Sequence, residues 1–155
     1  MTNYTGPNYY PVYHGLVTTV SGESTTYASG DVHGGLLKLY SPWTTGMVTN
    51  LRLFDDQDAN DFDIYIFKDQ PSSIADDAAF APTQDDLTKL LFNTSVTDYV
   101  TPGSAAGFAA LDNLNYPYRL ENSSFLWAYL VYTQTPANGY TAVDTLKLSY
   151  TLWAI

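Results

Sequence analysis

Residues 124–133 read SFLWAYLVYT, and the run from Phe125 to Tyr132 consists only of apolar and aromatic residues. A strand with one face in the core and the other in water alternates apolar and polar residues, whereas a strand covered on both faces does not. The run therefore predicts a central β-strand with two covered faces. Two kinds of cover fit the pattern: a second sheet of the same chain, or a neighbouring subunit.

Short β-prone runs, separated by turn signals, lie along the rest of the chain. Alternation of apolar and polar residues is clearest in residues 62–66 and 146–152, and it is typical of half-buried strands. The predicted strands are residues 13–20, 24–29, 35–40, 46–54, 62–68, 90–96, 106–111, 124–133 and 142–153. This spacing predicts an all-β fold, an antiparallel β-sandwich or jelly-roll-like single domain.

One interval, residues 70–91, breaks the β pattern. Thr83 precedes Asp86 by three residues, an arrangement typical of a helix N-cap with an acidic first turn. Leucines at 87, 90 and 91 then follow helical spacing. We expect one short helix near residues 83–91, crossing an end or flank of the sandwich.

The first twelve residues are rich in Tyr, Asn, Pro and Gly, and prolines interrupt any ladder of hydrogen bonds. We expect residues 1–12 to form an extended N-terminal arm and residues 13–155 to form a single β-sandwich domain. Tyrosine and tryptophan are favoured where proteins bind each other. The residues expected at an interface are Tyr4, Tyr9, Tyr10, Tyr13 and Trp127.

The charge balance excludes several classes of function. The chain has 155 residues and a formal net charge of −10, with 16 acidic and 6 basic residues. Binding to a nucleic-acid backbone depends on Lys and Arg, so we expect no nucleic-acid partner. The absence of cysteine excludes a thiolate zinc site. The sequence shows neither a secretory signal nor a membrane-spanning run, so we expect no membrane partner and synthesis in the cytoplasm.

The acidic stretch after residue 54 resembles a calcium-binding loop in part. Starting at Asp56, the first, third and fifth positions carry oxygen ligands, but the sixth is not glycine and the twelfth is Phe67. One hypothesis is a solvated hairpin loop whose Asp and Asn residues form Asx-turns. The other is a Ca²⁺ site of a different type, for which the expected ligands are Asp56, Asp58, Asn60 and Asp61. No other cofactor is expected.

No motif predicts catalysis. His14 and His33 are the only histidines, and neither lies in a metalloprotease-type arrangement; nucleophile-elbow and phosphate-loop motifs are also absent. We therefore expect a protein that is not an enzyme. Exposed tryptophans on a β-sandwich also suit a carbohydrate-binding module, but Trp127 lies in the run that is apolar on both faces, which favours a core or interface position.

Two segments carry a family resemblance. Residues 62–91 contain an amphipathic strand ending in Phe, a Pro turn, an Asp-Ala-Ala-Phe block and an acidic helix start. The matching residues are Asp63, Ile64, Phe67, Pro71, Asp76, Asp77, Ala78, Ala79, Phe80, Asp85, Asp86, Leu87, Lys89 and Leu90. Residues 125–153 are similar to the closing hairpin of the same family. The pattern resembles small tailed-bacteriophage virion proteins of the capsid decoration or cement type.

The resemblance implies a β-rich virion protein, located on the capsid surface, that binds the outer face of the shell. Its implied partner is the major capsid protein, and its implied assembly is a homo-oligomer, with a trimer preferred by analogy with attachment at three-fold lattice points. The family has no catalytic residues to transfer. The alternatives are a tail or baseplate component, or a carbohydrate-binding β-sandwich module with a Ca²⁺ site.

Overall fold

The structure, a computed structural model, describes residues 11–18, 27–55, 60–100, 107–136 and 146–155. Within these residues nine strands and one short helix are found. They are β1 (Val12–Thr18), β2 (Val32–Tyr40), β3 (Thr45–Asp55), β4 (Phe62–Phe67), α1 (Gln84–Lys89), β5 (Leu90–Val96), β6 (Gly107–Leu111), β7 (Tyr116–Arg119), β8 (Phe125–Tyr132) and β9 (Leu146–Ala154). The described part of the chain contains no helix long and apolar enough to cross a membrane.

The strands form two antiparallel sheets. Sheet 1 has the order β1-β9-β3-β6, with β7 also paired to β3, and sheet 2 has the order β2-β8-β4-β5. The pairs are nested along the chain, because β1 pairs with β9, β2 with β8, β3 with β6 and β4 with β5. A long hairpin folded over in this way is the topology of a jelly roll. The predicted all-β sandwich with one short helix is confirmed.

The core lies between the two sheets. Phe62, Ile64 and Ile66 of β4 are fully buried, as their alternation predicts, and on the opposite sheet Leu148 and Leu152 of β9 are equally buried. Alternate residues of each strand point away from this core. The two outward faces of the sandwich therefore decide what the protein presents to its surroundings.

The outer face of sheet 2 is covered by its own chain. We name residues 69–83, between β4 and α1, the strap. Ile74 and Phe80 of the strap pack against a second apolar cluster that includes Trp127 and Tyr129 of β8. Backbone hydrogen bonds between residues 30–32 and residues 77–80 hold the strap beside β2. Strand β8 is thus covered on one face by sheet 1 and on the other by the strap.

A buried carboxylate fixes the strap at its end. The Asp86 side chain accepts hydrogen bonds from the backbone N–H of Ser72 at 2.7 Å and from the backbone N–H and hydroxyl of Thr83 at 3.0 and 2.8 Å. These bonds, led by the one from Ser72, hold the pKa of Asp86 well below its ordinary value. Thr83 is the N-cap of α1 with a capping box, as its spacing to Asp86 predicts.

Three details differ from the sequence-based predictions. Residues 27–29 of the predicted strand 24–29 are irregular, and the rest of that strand lies outside the described residues. Strand β7, which contains Pro117, was not predicted; proline is tolerated there because β7 pairs only with β3. The helix ends at Lys89, because Leu90 has extended backbone angles and begins β5.

The start of the domain lies close to the predicted boundary. The backbone N–H of Ala154 donates a hydrogen bond to the carbonyl of Pro11 at 3.0 Å, and β1 begins at Val12. The sandwich therefore includes the last residues of the predicted arm. Residues 1–10 lie outside the described residues, and the division into an arm and a domain stays a prediction.

Candidate docking face

The outward side chains of sheet 1 form an open surface, which we name the sheet 1 face. Antiparallel register aligns them in rows across β1, β9, β3 and β6; one row runs from Leu16 through Ser149 and Arg52 to Ala110. The face comprises Val12, His14, Leu16, Thr18, Met47, Asn50, Arg52, Phe54, Phe108, Ala110, Lys147, Ser149, Thr151 and Trp153.

Large apolar side chains on this face are exposed. Leu16 is 61% exposed, Val12 47% and Trp153 42%. Apolar groups beside polar ones are typical of surfaces that bind another molecule. The sheet 1 face differs in this respect from the outer face of sheet 2, where the strap buries the corresponding aromatic residues.

A shallow groove runs along the face. It consists of two adjoining depressions of about 370 and 480 Å³, both lined by His14 and Ser149. Trp153 borders the smaller depression and Lys147 the larger one. Within the groove His14 Nδ1 lies 3.0 Å from the hydroxyl of Thr151. The groove combines one aromatic surface with several hydrogen-bonding groups and is open to solvent.

A bulge in β3 places two polar residues in the groove. The register of β3 against β9 shifts between Val48 and Asn50, so Asn50 and Arg52 both face outward while Leu51 remains in the core. The side-chain amide of Asn50 donates a hydrogen bond to the carboxylate of Asp112. Asp112 and Arg52 are both exposed to solvent.

Charge is divided unequally between the two layers of the sandwich. The layer of sheet 1 comprises residues 11–18, 41–55, 107–120 and 146–155, and the layer of sheet 2 comprises residues 27–40, 60–100 and 121–136. Among the described residues, the sheet 2 layer has ten acidic and three basic side chains, a formal charge of −7. The described residues of the sheet 1 layer include the bases Arg52, Arg119 and Lys147 and the acids Asp55 and Asp112, a formal charge of +1. The remaining acids of the chain, Glu23, Asp56, Asp58 and Asp144, lie in connections outside the described residues. Asp55 is buried.

Two of the four predicted calcium ligands, Asp56 and Asp58, lie outside the described residues. The backbone and side-chain N–H groups of Asn60 donate to the carboxylate of Asp55 at 3.1 and 3.4 Å. The Asp61 carboxylate accepts a hydrogen bond from the Gln134 amide at 2.7 Å. Among the described residues no group of three or more His, Cys, Asp or Glu is arranged to hold a metal ion. The Ca²⁺ hypothesis stays a prediction.

Two of the five predicted interface residues, Tyr13 and Trp127, lie within the described residues. Tyr4, Tyr9 and Tyr10 lie outside the described residues. Tyr13 is half-buried at the edge of the core, with its ring centroid 5.7 Å from that of Tyr40. Trp127 is 7% exposed, and its cover comes from its own chain, with the Lys38 ammonium 5.2 Å from its ring centroid. A contact of these residues with another subunit stays a prediction.

The two histidines lie in different sheets. His14 is on the exposed sheet 1 face, whereas His33 of β2 is buried with Nδ1 2.9 Å from the hydroxyl of Tyr132. Burial lowers the pKa of His33 to about 4, although the negative charges of Asp76 and Asp55 oppose this shift. The structure therefore does not bring the histidines together.

The sheet 1 face was not predicted as a site from the sequence. Its signal was the alternation in β9, where Lys147, Ser149 and Thr151 share one side. Alternation predicts which residues face outward, but only the pairing of β9 with β1 and β3 places these side chains beside Leu16 and Arg52. Pairing of strands distant in sequence is not encoded in local periodicity.

No family model and no curated protein matches the chain. Solved structures of virus particles show a distant likeness. A chain of the cyanophage Pam1 capsid asymmetric unit has 12% identity and a TM-score of 0.40, over 100% of this chain and 94% of that chain. A chain of the native Kashmir bee virus virion at acidic pH has 12% identity and a TM-score of 0.32, over 93% and 70%. A chain of the heated full particle of Israeli acute paralysis virus has 9% identity and a TM-score of 0.32, over 93% and 71%. These sequence identities and TM-scores are too low to transfer a function from those proteins to this chain.

The hydroxyl of Tyr129 provides a test of how the strap is held. It accepts a hydrogen bond from the backbone N–H of Ile74 at 2.9 Å and donates one to the carbonyl of Ser72 at 2.6 Å. Tyr129→Phe retains the ring but removes both bonds, so we expect the free energy of unfolding to fall by about 1–2 kcal/mol. Denaturant titration measures this loss. Hydrogen exchange at the Ile74 amide should accelerate, whereas the exposed control Tyr116→Phe should change neither quantity.

Proposed function

We propose that the protein is a virion structural protein of the capsid decoration type, which binds the outer surface of the major capsid protein shell and stabilises it. The observation that carries the proposal is the sheet 1 face, an exposed surface that combines apolar and cationic side chains. A non-enzymatic protein with such a surface suits a docking role better than a chemical one. The proposed location is the capsid surface, after synthesis in the host cytoplasm.

Two further points support this function. The resemblance to tailed-phage decoration proteins covers residues 62–91 and 125–153, and the first of these segments contains the strap and α1. Jelly rolls occur in viral capsid domains and also in lectins. Because a fold by itself does not determine function, the resemblance and the exposed face support the proposal together.

The proposed mechanism is burial of apolar surface at repeated contacts. Each contact with the shell contributes only modestly to the free energy of binding. A homo-oligomer that makes the same contact with several shell subunits binds more tightly through avidity, and no additional kind of contact is needed. A trimer is preferred because three-fold lattice points are common attachment sites. The shell would be stabilised because subunits that are joined by one bound oligomer separate less readily.

The test is rebinding to shells from which the protein has been stripped. We expect the purified protein to co-sediment with stripped shells in a saturable manner and to raise their melting temperature. Leu16→Ser/Trp153→Ser removes two exposed apolar groups from the sheet 1 face and should weaken binding at least about tenfold. The control Leu87→Ser changes a leucine of α1 that is 49% exposed and lies off the sheet 1 face, so this variant should bind normally. Wild-type protein that does not bind stripped shells would contradict the proposal.

A second candidate is a carbohydrate-binding module, which one observation favours. The exposed indole of Trp153 borders a depression also lined by Asn50, Arg52 and His14, and aromatic surfaces beside planar hydrogen-bonding groups suit sugar rings. Binding to immobilised polysaccharide that Trp153→Ala abolishes would favour this function. Loss of the same binding in EDTA would additionally support a Ca²⁺ site in the loop after β3. Immunolabelling of tails instead of heads would favour a tail or baseplate component.

A further inference from the structure

The side chains of the sheet 1 face follow a fixed order along the groove. Strand register places Trp153 in the first row, Thr151 in the second, Ser149 and Arg52 in the third, and Lys147 in the fourth. Successive rows lie about 7 Å apart, because each row is two residues further along the strands. The two cations therefore occupy adjacent rows towards one end of the groove, and the indole of Trp153 occupies the other end.

Arg52 and Lys147 make no ion pair within the described part of the chain. The neighbours of Arg52 on the adjacent strands, Ser149 and Ala110, carry no charge. Across the described residues, the only ion pairs are those of Lys89 on α1. No Asp or Glu is among the described residues that line the two depressions of the groove. The two cations are therefore available to a binding partner.

Asp112 is an acidic side chain beside the groove. Its carboxylate accepts a hydrogen bond from the amide of Asn50, which lies one row from Arg52. Because Asp112 is exposed, its charge would repel an acidic partner and attract a basic one. The effect of removing this charge therefore reports the sign of the charge that the partner carries.

We propose that the segment of the shell that fills the groove is acidic, with carboxylates that bind Arg52 and Lys147 and an apolar side chain that packs on Trp153. This inference rests on the proposed function, since it names the chemistry of the shell surface that the sheet 1 face binds. A guanidinium donates two parallel hydrogen bonds to a carboxylate, whereas an ammonium attracts it as a point charge. Charge complementarity of this kind fixes the orientation of docking and speeds association.

The length of the groove fits an extended segment of the partner. Four rows span about 21 Å, which an extended chain covers with about seven residues. Alternate side chains of such a segment face the groove. The carboxylates for Arg52 and Lys147 are then about two residues apart, and the apolar side chain on Trp153 is about four residues from the first of them.

The first experiment measures rebinding to stripped shells at low and high ionic strength. Arg52→Gln/Lys147→Gln should weaken binding at least about tenfold at low salt, and added salt should reduce this difference. Asp112→Asn retains an oxygen acceptor but removes a negative charge, so it should tighten binding about two- to threefold. Lys38→Gln/Lys68→Gln removes two positive charges from sheet 2 and its edge, away from the sheet 1 face, and should bind nearly as well as the wild type.

The second experiment identifies the carboxylate of the shell directly. A carbodiimide activates carboxylates, and the amine of Lys147 then forms an amide bond with one that is held beside it. Mass spectrometry of the digested complex should show Lys147, and not Lys38, joined to an Asp or Glu of the shell. Amidation of the shell carboxylates with ethanolamine before mixing should weaken wild-type binding at least about tenfold. It should affect Arg52→Gln/Lys147→Gln much less, and electron microscopy controls for intact shells.

The outcomes separate this inference from the proposed function. Wild-type protein that does not bind stripped shells contradicts both. Binding that neither Arg52→Gln/Lys147→Gln nor amidation weakens contradicts the acidic segment alone and indicates an apolar contact. Binding that requires the cations but survives amidation indicates another acceptor, and weaker binding by Asp112→Asn indicates a basic partner; either result overturns the inference. Circular dichroism of each variant controls for folding.

Discussion

Acidification from pH 6.5 to pH 4 is expected to destabilise the fold by about 3 kcal/mol through one side chain, His33. Its ordinary pKa is 6.5, and burial lowers the pKa in the folded protein to about 4. Between these values the unfolded chain binds a proton that the folded chain does not bind. The free energy of unfolding therefore falls as the pH falls through this window, by about 1.4 kcal/mol for each unit of pKa difference.

The surroundings of His33 explain why its pKa is lowered in the folded protein. The ring packs among Tyr27, Phe62 and Tyr132, with centroid distances of 5.2, 6.1 and 5.7 Å. These rings exclude the water that would solvate an imidazolium. The nearby carboxylates of Asp76 and Asp55 favour the charged form, but desolvation is the larger effect.

The measurement is denaturant unfolding at pH 6.5 and at pH 4, compared between variants. His33→Gln should abolish most of the difference between the two pH values, whatever its effect on stability at pH 6.5. His14→Gln, at the exposed histidine, should retain the difference. Equal pH dependence in wild type and His33→Gln would show that His33 is not responsible. Below pH 4 the free energy of unfolding should fall further because of Asp86. Its pKa is depressed in the folded protein, so the unfolded chain binds this proton at a higher pH than the folded chain does.

Gly15→Val is expected to lower the free energy of unfolding by about 3 kcal/mol, in the range for overpacked cores. Gly15 of β1 lies opposite Tyr150 of β9, and a Cβ atom at Gly15 would lie 2.0 Å from Cζ of that tyrosine. The ring has little freedom to move away, because its hydroxyl donates a hydrogen bond to the carbonyl of Tyr40 in sheet 2 at 2.9 Å. The absence of a side chain at Gly15 thus allows Tyr150 to connect the sheets.

A double-mutant cycle isolates the steric clash between a side chain at position 15 and the ring of Tyr150. Tyr150→Leu alone should destabilise the protein through the lost hydrogen bond and lost ring packing. In the Tyr150→Leu background, however, Gly15→Val should cost much less than it does in the wild type. Thr18→Val serves as a control for strand propensity at an exposed position of β1. Strictly additive effects of Gly15→Val and Tyr150→Leu would contradict the steric explanation.

Local patterns in the sequence predicted the strands well where side chains alternate. Phe62, Ile64 and Ile66 lie in the core as predicted, because a strand's period of two assigns alternate residues to one face regardless of its partners. The N-cap at Thr83 was predictable for a similar reason, since a capping box involves residues only three positions apart. Strand β7 was missed because Pro117 is tolerated only in a strand that pairs on one side.

Composition and residue spacing specify the class of the fold and the two-sided burial of residues 125–132, because both are properties of the local chain. The identity of the cover over those residues depends on tertiary packing. The strap closes the outer face of sheet 2, so the exposed face of the sandwich is the one formed by sheet 1. The bulge before Asn50 and the pairing of β9 with β1 and β3 then place Arg52, Leu16 and Trp153 on one surface. Such proximity arises from pairing between distant strands, which local periodicity does not specify.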